Sequence, residues 1–488
     1  MSPITTLIIL LGYFGLLILI SRITSKNSDS SSFYTGNKKS PWFLVAFGMI
    51  GASLSGVTFL SVPGAVASSH FGYFQTVLGY MVGYVIIALV LLPLYYKKNL
   101  TSIYTYLEDR FGKLTYKTGA AFFLLSRVIG ASFRLFLVAS VLHLAVFENF
   151  GLPYAATVAI TILLIFTYTS KSGIKTIVYT DALQTFFLIL SVVLTIIFIV
   201  NSMDWSFADM VTNLVNDPNT QIFHTEGNGG NVFWKRFIGG AFIALAMTGL
   251  DQDMMQKNLS ISNLGQAQKN IYVQMALFLV INIVFLSLGA LLYQYADLHH
   301  ITTEGTGDHL FTIIALQNAT PLIGIFFIIG LVAAAYSSAD SALTALTTSF
   351  CVDFLGFEKE KETNLKTRRF VHIGFATLLF FTVIIFNAVN SDSVIEELFR
   401  VAGFTYGPLL GLFAFGILTK RKFADNHVIA IAFMAIALTS LYYFGMPYVI
   451  EGFKAGFELI IINGLLTFGL LYLDSILVQS PTHNNSNN

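Results

Sequence analysis

Thirteen long apolar runs constrain this chain more than any other feature. They cover residues 3–21, 42–68, 73–96, 116–147, 153–170, 177–200, 233–256, 270–296, 321–352, 367–389, 393–419, 427–445 and 456–478. A hydrocarbon bilayer core takes about 20 residues of helix to cross. Inside it every backbone N–H and C=O has to bond within the chain, so runs of this length become helices. The expectation is an all-α polytopic membrane protein of thirteen transmembrane helices in a lipid bilayer. Charged residues are only 11% of the 488, against about 25% in soluble domains. The net charge of +1 gives no basis for a nucleic-acid partner. Cys351 is the only cysteine, which excludes an intrachain disulfide. No Cys/His cluster marks a metal centre. The first run lacks a basic leading region and is followed by Arg22 and Lys26, the pattern of a first span rather than a signal peptide.

Charge then sets sidedness. Alternate connections hold 21 of the 27 lysines and arginines, Lys97, Lys98, Lys257 and Lys420 among them. The other connections hold three: Lys235, Arg236 and Lys454. Cytoplasmic loops carry the excess of positive charge. This predicts an N-terminus outside, a C-terminus in the cytoplasm and residence in the inner (plasma) membrane. On that parity the span at 42–68 and the span five places later, 233–256, run in opposite senses. Two five-span halves of opposite sense are the plan of an inverted-repeat transporter. The expected division is 1–41 as an extra helix and loop, 42–200 as the first repeat and 201–232 as an external loop. The second repeat is 233–420, followed by two peripheral helices at 421–478 and a disordered tail at 479–488.

Polar groups within the spans point to function. Asp181 opens the apolar run Ala182 to Val200, and Ser337, Ser338, Asp340 and Ser341 interrupt the run that begins near Pro321. A carboxylate inside a spanning helix costs about 2.5–3.5 kcal/mol on insertion scales. Chains that keep one use it to hold a cation, move a proton or bind a solute. Ala334, Ser337, Ser338 and Ser341 share one helix face by their spacing, which suits an ion site or serine-mediated packing. The span at 42–68 contains GMIGASLSGVTFLSVPG, rich in residues that weaken a helix. That composition fits an unwound segment or a small-residue helix contact. The span at 233–256 has Gly239-Gly240 and runs into TGLDQDMMQKNL, where Asp251 and Asp253 read as structural or gating groups.

Together these segments resemble the sodium/solute symporter family, whose members include sodium/glucose, sodium/proline and sodium/sialic acid cotransporters. The resemblance spans roughly residues 3 to 478. It is carried by Gly51–Gly56, Thr167–Gln184, Gly249–Leu259, Ala334–Ser349 and Tyr406–Phe413. It implies a LeuT-like 5+5 inverted-repeat core and sodium-driven import of a small-molecule solute, with Na+ as coupling ion, no other cofactor and no enzymatic activity. The main sodium site would use carbonyls of Gly51, Leu54 and Ala334 and hydroxyls of Ser337 and Ser338, a hard-oxygen set that suits a hard cation. A second site would use Asp181, Asp340 and Ser341.

Solute should lie beside the break, against Ser53, Ser55, Thr58, Phe59 and Gln75. Sugar-carrying members place a glutamine where this chain has Arg400, which argues against a neutral sugar. Arg127 and Arg134 lie seven residues apart on one helix face. Each needs an anion, either a solute carboxylate or an internal group such as Asp181, Glu396 or Glu397. Members that carry sialic acid bind its carboxylate with an arginine on this helix. The leading expectation is a carboxylated sugar or organic acid. Proton coupling and a neutral sugar or amino acid are the alternatives, and a channel is remote. Nothing in the sequence sets the oligomeric state.

Overall fold

Backbone groups in lipid bond within their own segment, and the computed structural model is helical wherever a span is expected. It describes residues 3–26, 30–170, 173–225, 232–301, 307–357, 365–389, 394–450, 453 and 455–479. The expected tail lies outside these residues from position 480 onward. Among the described residues eleven helices are long and apolar enough to cross a membrane. They are α1 (Pro3–Thr24), α2 (Trp42–Gly64), α3 (Val66–Lys97), α4 (Lys113–Phe150), α6 (Ile174–Ser202), α9 (Leu264–Leu298), α10 (Pro321–Phe354), α11 (Leu365–Val389), α12 (Val394–Leu418), α13 (Asp425–Val449) and α14 (Leu459–Gln479). The remaining two expected spans differ from that pattern. One is the shorter apolar helix α5 (Tyr154–Thr169). The other is a broken segment made of α7 (Phe233–Ala244), a wide turn at Leu245–Gly249, and α8 (Gln252–Leu259).

Burial sorts the helices into centre and rim. The most apolar stretches of α2 and α10 are 78% buried, whereas those of α11 and α13 are 22% and 28% buried. The rim helices turn Phe381, Phe433 and Leu441 outward, as a lipid-facing surface requires. At the centre, α2 packs against α6, α9 and α10. Around it, α3 packs on α7, and α12 packs on α4 and α14.

Both helices that open the expected repeats are interrupted. In α2 the interruption is Ser55, at φ 41° and ψ 170°, a conformation that residues with a side chain rarely adopt. Between α7 and α8 it is Leu250 and Asp251. The carbonyls exposed there need donors. Tyr95 donates its hydroxyl to the Gly249 carbonyl at 2.9 Å, and Tyr104 donates to the Leu250 carbonyl at 2.9 Å. Asp251 caps the first turn of α8 by accepting from the backbone N–H groups of Asp253 and Met254. Every residue of α8 is buried although its sequence, QDMMQKNL, is mostly polar.

Helices can close to backbone distance only where side chains are missing. At the α3–α7 contact a Cβ on Gly79 would stand 2.0 Å from the Phe237 carbonyl oxygen. Gly79→Ala is therefore expected to push two backbones apart and cost about 1–3 kcal/mol. Gly445→Ala, where nothing lies within 4 Å, should leave stability unchanged or raise it. Thermal unfolding of the two purified variants checks this, and equal unfolding temperatures would refute the packing argument.

Candidate functional site

The break at Ser55 loosens the hydrogen-bond ladder of α2 and frees backbone oxygens in the preceding turn. That turn holds Gly51 and Leu54. It lies directly on α6: the Gly51 N–H donates to Thr185 Oγ1 at 3.1 Å, and a Cβ on Gly51 would stand 2.2 Å from the same oxygen. One turn earlier, a Cβ on Gly48 would stand 2.8 Å from Asp181 Cβ. The glycines thus let α2 reach the carboxylate-bearing face of α6.

The hydroxyl cluster of α10 meets the same region. Ser337 donates to Asp181 Oδ1 at 2.9 Å. Ser338 donates to the Ala334 carbonyl at 3.2 Å, and Ser341 donates to the Ser337 carbonyl at 2.7 Å. Beyond the break, a Cβ on Gly56 would lie 3.9 Å from Ala335 Cα. So α2, α6 and α10 bring carbonyl, hydroxyl and carboxylate oxygens together, all buried. Such a set suits a small hard cation.

The expected second ion site is not assembled as the sequence suggested. The Lys257 ammonium lies 2.6 Å from Asp181 Oδ2, with both side chains almost wholly buried. With Ser337 on the other oxygen, Asp181 is satisfied by the chain itself. Lys257 was counted among loop cations, but α8 carries it into the bundle. Asp340 points elsewhere and accepts the Tyr168 hydroxyl at 3.0 Å, while the Ser341 hydroxyl is turned to its own helix.

A cavity of about 70 Å³ opens beside the α2 break. Ser53, Ser55 and Thr58 line it together with Arg134 and the tyrosines Tyr73, Tyr80 and Tyr84. Three expected solute contacts fall elsewhere. Phe59 faces an aromatic cluster with Phe285, Phe311 and Phe327. Gln75 bonds to loop backbone, donating to the Gly72 carbonyl at 3.2 Å and accepting from the His224 N–H at 3.3 Å. Arg400 donates to the Tyr443 hydroxyl at 3.2 Å, away from the cavity. In each case the position along the helix was near the site, but the side chain leaves by another face.

The two arginines of α4 separate clearly. Arg127 forms an ion pair with Asp253 and lies 3.7 Å from Asp251 Oδ2, which also accepts the Tyr406 hydroxyl at 2.5 Å. Both aspartates are therefore structural partners at the second break. Arg134 is buried and makes no ion pair among the described residues. Of its expected internal partners, Asp181 is held by Lys257, and the side chains of Glu396 and Glu397 lie outside the described residues.

This layout has known counterparts. The sequence model of the sodium:solute symporter family matches residues 33–430. The chain belongs to that family. One curated relative is the sodium/sialic acid symporter SiaT of Proteus mirabilis, 24% identical, with 89% of each chain covered. Another is the sodium-coupled monocarboxylate transporter 1 of Xenopus laevis, 25% identical over 83% of this chain and 67% of that protein. Among solved structures, a substrate-bound, outward-open Na+-coupled sialic acid symporter aligns with a TM-score of 0.83 at 20% identity, covering 97% of this chain and 98% of that one. A transporter of the nucleobase-cation-symport-1 family aligns at 0.59 and 14% identity, over 92% and 96%. The fold is that of LeuT-like sodium-coupled transporters, and the protein is a sodium-coupled symporter of a small solute rather than an enzyme.

Two outcomes follow from the side-chain placements. Lys257→Met strands a buried carboxylate and should cost about 3–5 kcal/mol. The double variant with Asp181→Asn should recover a large part of that, as a double-mutant cycle in thermal unfolding will show. An additive cycle would refute the pairing. Gln75→Ala should lower stability by about 1–3 kcal/mol while leaving the half-saturating solute concentration unchanged. A raised half-saturation would restore Gln75 to the solute site.

The pairing of Gln75 with the His224 backbone adds a pH dependence. Burial, with His70 stacked against the ring at 5.6 Å, holds the His224 imidazole below its ordinary range. The unfolded chain then takes up the proton first as pH falls. This contribution to stability is present above about pH 6.5 and is lost progressively as pH falls from there through the lowered value of the folded protein. His224→Gln should flatten the unfolding temperature between pH 7 and pH 5, and an unchanged slope would refute the assignment.

Proposed function

We propose that the protein imports a small organic anion with Na+ by alternating access, and that Arg134 receives the solute carboxylate. The observation that carries this reading is the contrast on α4. Among the described residues Arg127 pairs with two aspartates and Arg134 with none, and both arginines line the cavity. A buried guanidinium without an anion is costly, and its planar fork matches a carboxylate. Ser53, Ser55 and Thr58 supply hydroxyls for the rest of the solute. Both a sialic acid symporter and a monocarboxylate transporter are among the relatives, and their named cargoes share the carboxylate. A cavity of about 70 Å³ is about half the volume of an engineered cavity of about 150 Å³ that binds benzene, which favours the smaller organic acids over a sugar acid.

The coupling ion sits where the freed carbonyls of Gly51 and Leu54 meet Ala334, Ser337 and Ser338. Sodium arriving from outside ties the two halves of α2 to α10, and that arrangement orders the cavity walls. Solute binding then closes the outer side, and the site opens inward. The short helical stretch Gly307–Asn318 packs near the outer end of α2, where Tyr293 donates to the Gly64 carbonyl at 2.6 Å. The orientation is N-terminus out and C-terminus in, within the inner membrane, as loop charge directs. Each Na+ carries about 2.3 kcal/mol per 100 mV and about 1.4 kcal/mol per tenfold gradient. A monovalent anion travelling with one Na+ forfeits the voltage part.

In proteoliposomes with an imposed Na+ gradient, uptake of a short-chain monocarboxylate is the direct test. Arg134→Leu should reduce uptake at low solute concentration at least about 100-fold, while a cavity variant such as Ser53→Ala should have a milder effect. Undiminished anion uptake by Arg134→Leu would dismiss the carboxylate reading. Ser338→Ala should raise the Na+ concentration for half-maximal uptake, and an unaltered sodium response would dismiss the ligand assignment.

A further inference from the structure

Two imidazoles meet at the end of the bundle that loop charge assigns to the outside. His70 interrupts α3 near its start, and His224 lies in the loop that leads into α7. Their rings stack with centroids 5.6 Å apart and planes 21° from parallel. The backbone holds both residues in place. The Phe71 N–H donates to the Gln221 carbonyl at 3.1 Å, and the His224 carbonyl accepts from the Phe233 N–H at 2.8 Å. The His224 N–H donates to Gln75 Oε1 at 3.3 Å. Yet His70 Nδ1 and His224 Nε2 are buried without a hydrogen-bond partner among the described residues, where buried polar atoms are normally bonded. Both nitrogens lie toward the His70–Gly72 backbone. Nδ1 is the ring nitrogen of His70 nearer its own main chain, and a Cβ on Gly72 would stand 3.5 Å from His224 Nε2. The His70 backbone is at φ 50° and ψ −143°, a region that suits glycine and strains any other residue. Its imidazole is the one thing a glycine there could not supply.

We propose that His70 and His224 form a two-histidine site for a divalent transition-metal ion of the zinc type, with water filling the remaining positions. Imidazole nitrogen suits Zn2+ and its neighbours, whereas Mg2+ and Ca2+ take oxygen ligands. Zn–N bonds of about 2.0–2.1 Å place two imidazole centres on one ion roughly 5–6 Å apart, the separation the two rings already have. A metal takes neutral imidazoles through an unclaimed lone pair, and each ring keeps one nitrogen unclaimed. An ion held there would clip the start of α3 to the loop before α7. That contact joins the outer ends of both broken segments, since α3 follows α2 and α7 opens the other. The site uses none of the oxygens assigned to Na+ or solute, so it is independent of the transport reading.

Thermal unfolding of the purified, tag-free full-length protein tests it. After chelator treatment, added Zn2+ should raise the unfolding temperature of wild type, because an ion that binds only the folded state stabilises it. Mg2+ at the same concentration should not. His224→Gln should lose the shift. His70→Gly should lose it too, while unfolding near the wild-type temperature in chelator, because glycine suits that backbone. His427→Gln, which removes the histidine beside Asp474, should keep the shift. Calorimetric titration should weaken Zn2+ binding at least about tenfold in either His70→Gly or His224→Gln, and it decides the matter if one variant is itself less stable. A Zn2+ shift and affinity that survive both variants would overturn the proposal, as would a wild type that Zn2+ leaves unchanged. An equal shift with Mg2+ would overturn the transition-metal assignment.

Discussion

The contact between Lys257 and Asp181 organises the middle of this protein. Neither charge would be tolerated there alone, and together they fix three helices. Lys257 stands on α8, the continuation of the second broken span. Asp181 stands on α6, and its other oxygen takes the Ser337 hydroxyl of α10. A buried pair of this kind contributes little net stability compared with apolar packing, but losing one member is severe. Its value lies in geometry. It sets the rotation of α8 and α6 against each other and holds α10 to α6 through Ser337.

The two interruptions are made possible by opposite means. In α2 the residues are small, and Gly48 and Gly51 bring the backbone onto α6. At Leu250 and Asp251 the chain relies on large polar neighbours, since Tyr95 and Tyr104 bond the exposed carbonyls and Arg127 lies between two aspartates. The first break therefore keeps oxygen atoms available for an ion, and the second has its polar groups engaged. This difference fits a division in which α2 handles the cation and the solute while the second broken segment serves as a charged, hydrogen-bonded frame.

Electrostatics assigns roles among residues of one type. Arg127 and Arg134 look alike along the helix, and only their counter-ions separate them. Asp181 and Asp340 also look alike, yet one is paired with an ammonium and the other with a tyrosine hydroxyl. A charge in a low-dielectric interior is defined by its nearest opposite charge, and that neighbour comes from a distant part of the chain.

That dependence decides how much could be read before folding. The helical membrane bundle follows from run length, because bilayer thickness sets it. The weak point at GASLSG and the hydroxyl face of α10 follow from composition and helical spacing. The burial of the end of α8 was not legible, because the expected span stops at 256 and Lys257 reads as a loop cation until Asp181 is placed opposite it. Gln75, Phe59 and Arg400 were near the right depth, but which way a side chain leaves its helix depends on local turns and on neighbours the sequence does not bring near. The sequence by itself determined the architecture and the inventory of polar oxygens within the spans, since these depend on local composition and helix periodicity. Only the tertiary structure decided which charges neutralise one another and which stay free, since Coulomb pairing acts between residues far apart in the chain, 76 positions for Lys257 and Asp181 and 126 for Arg127 and Asp253.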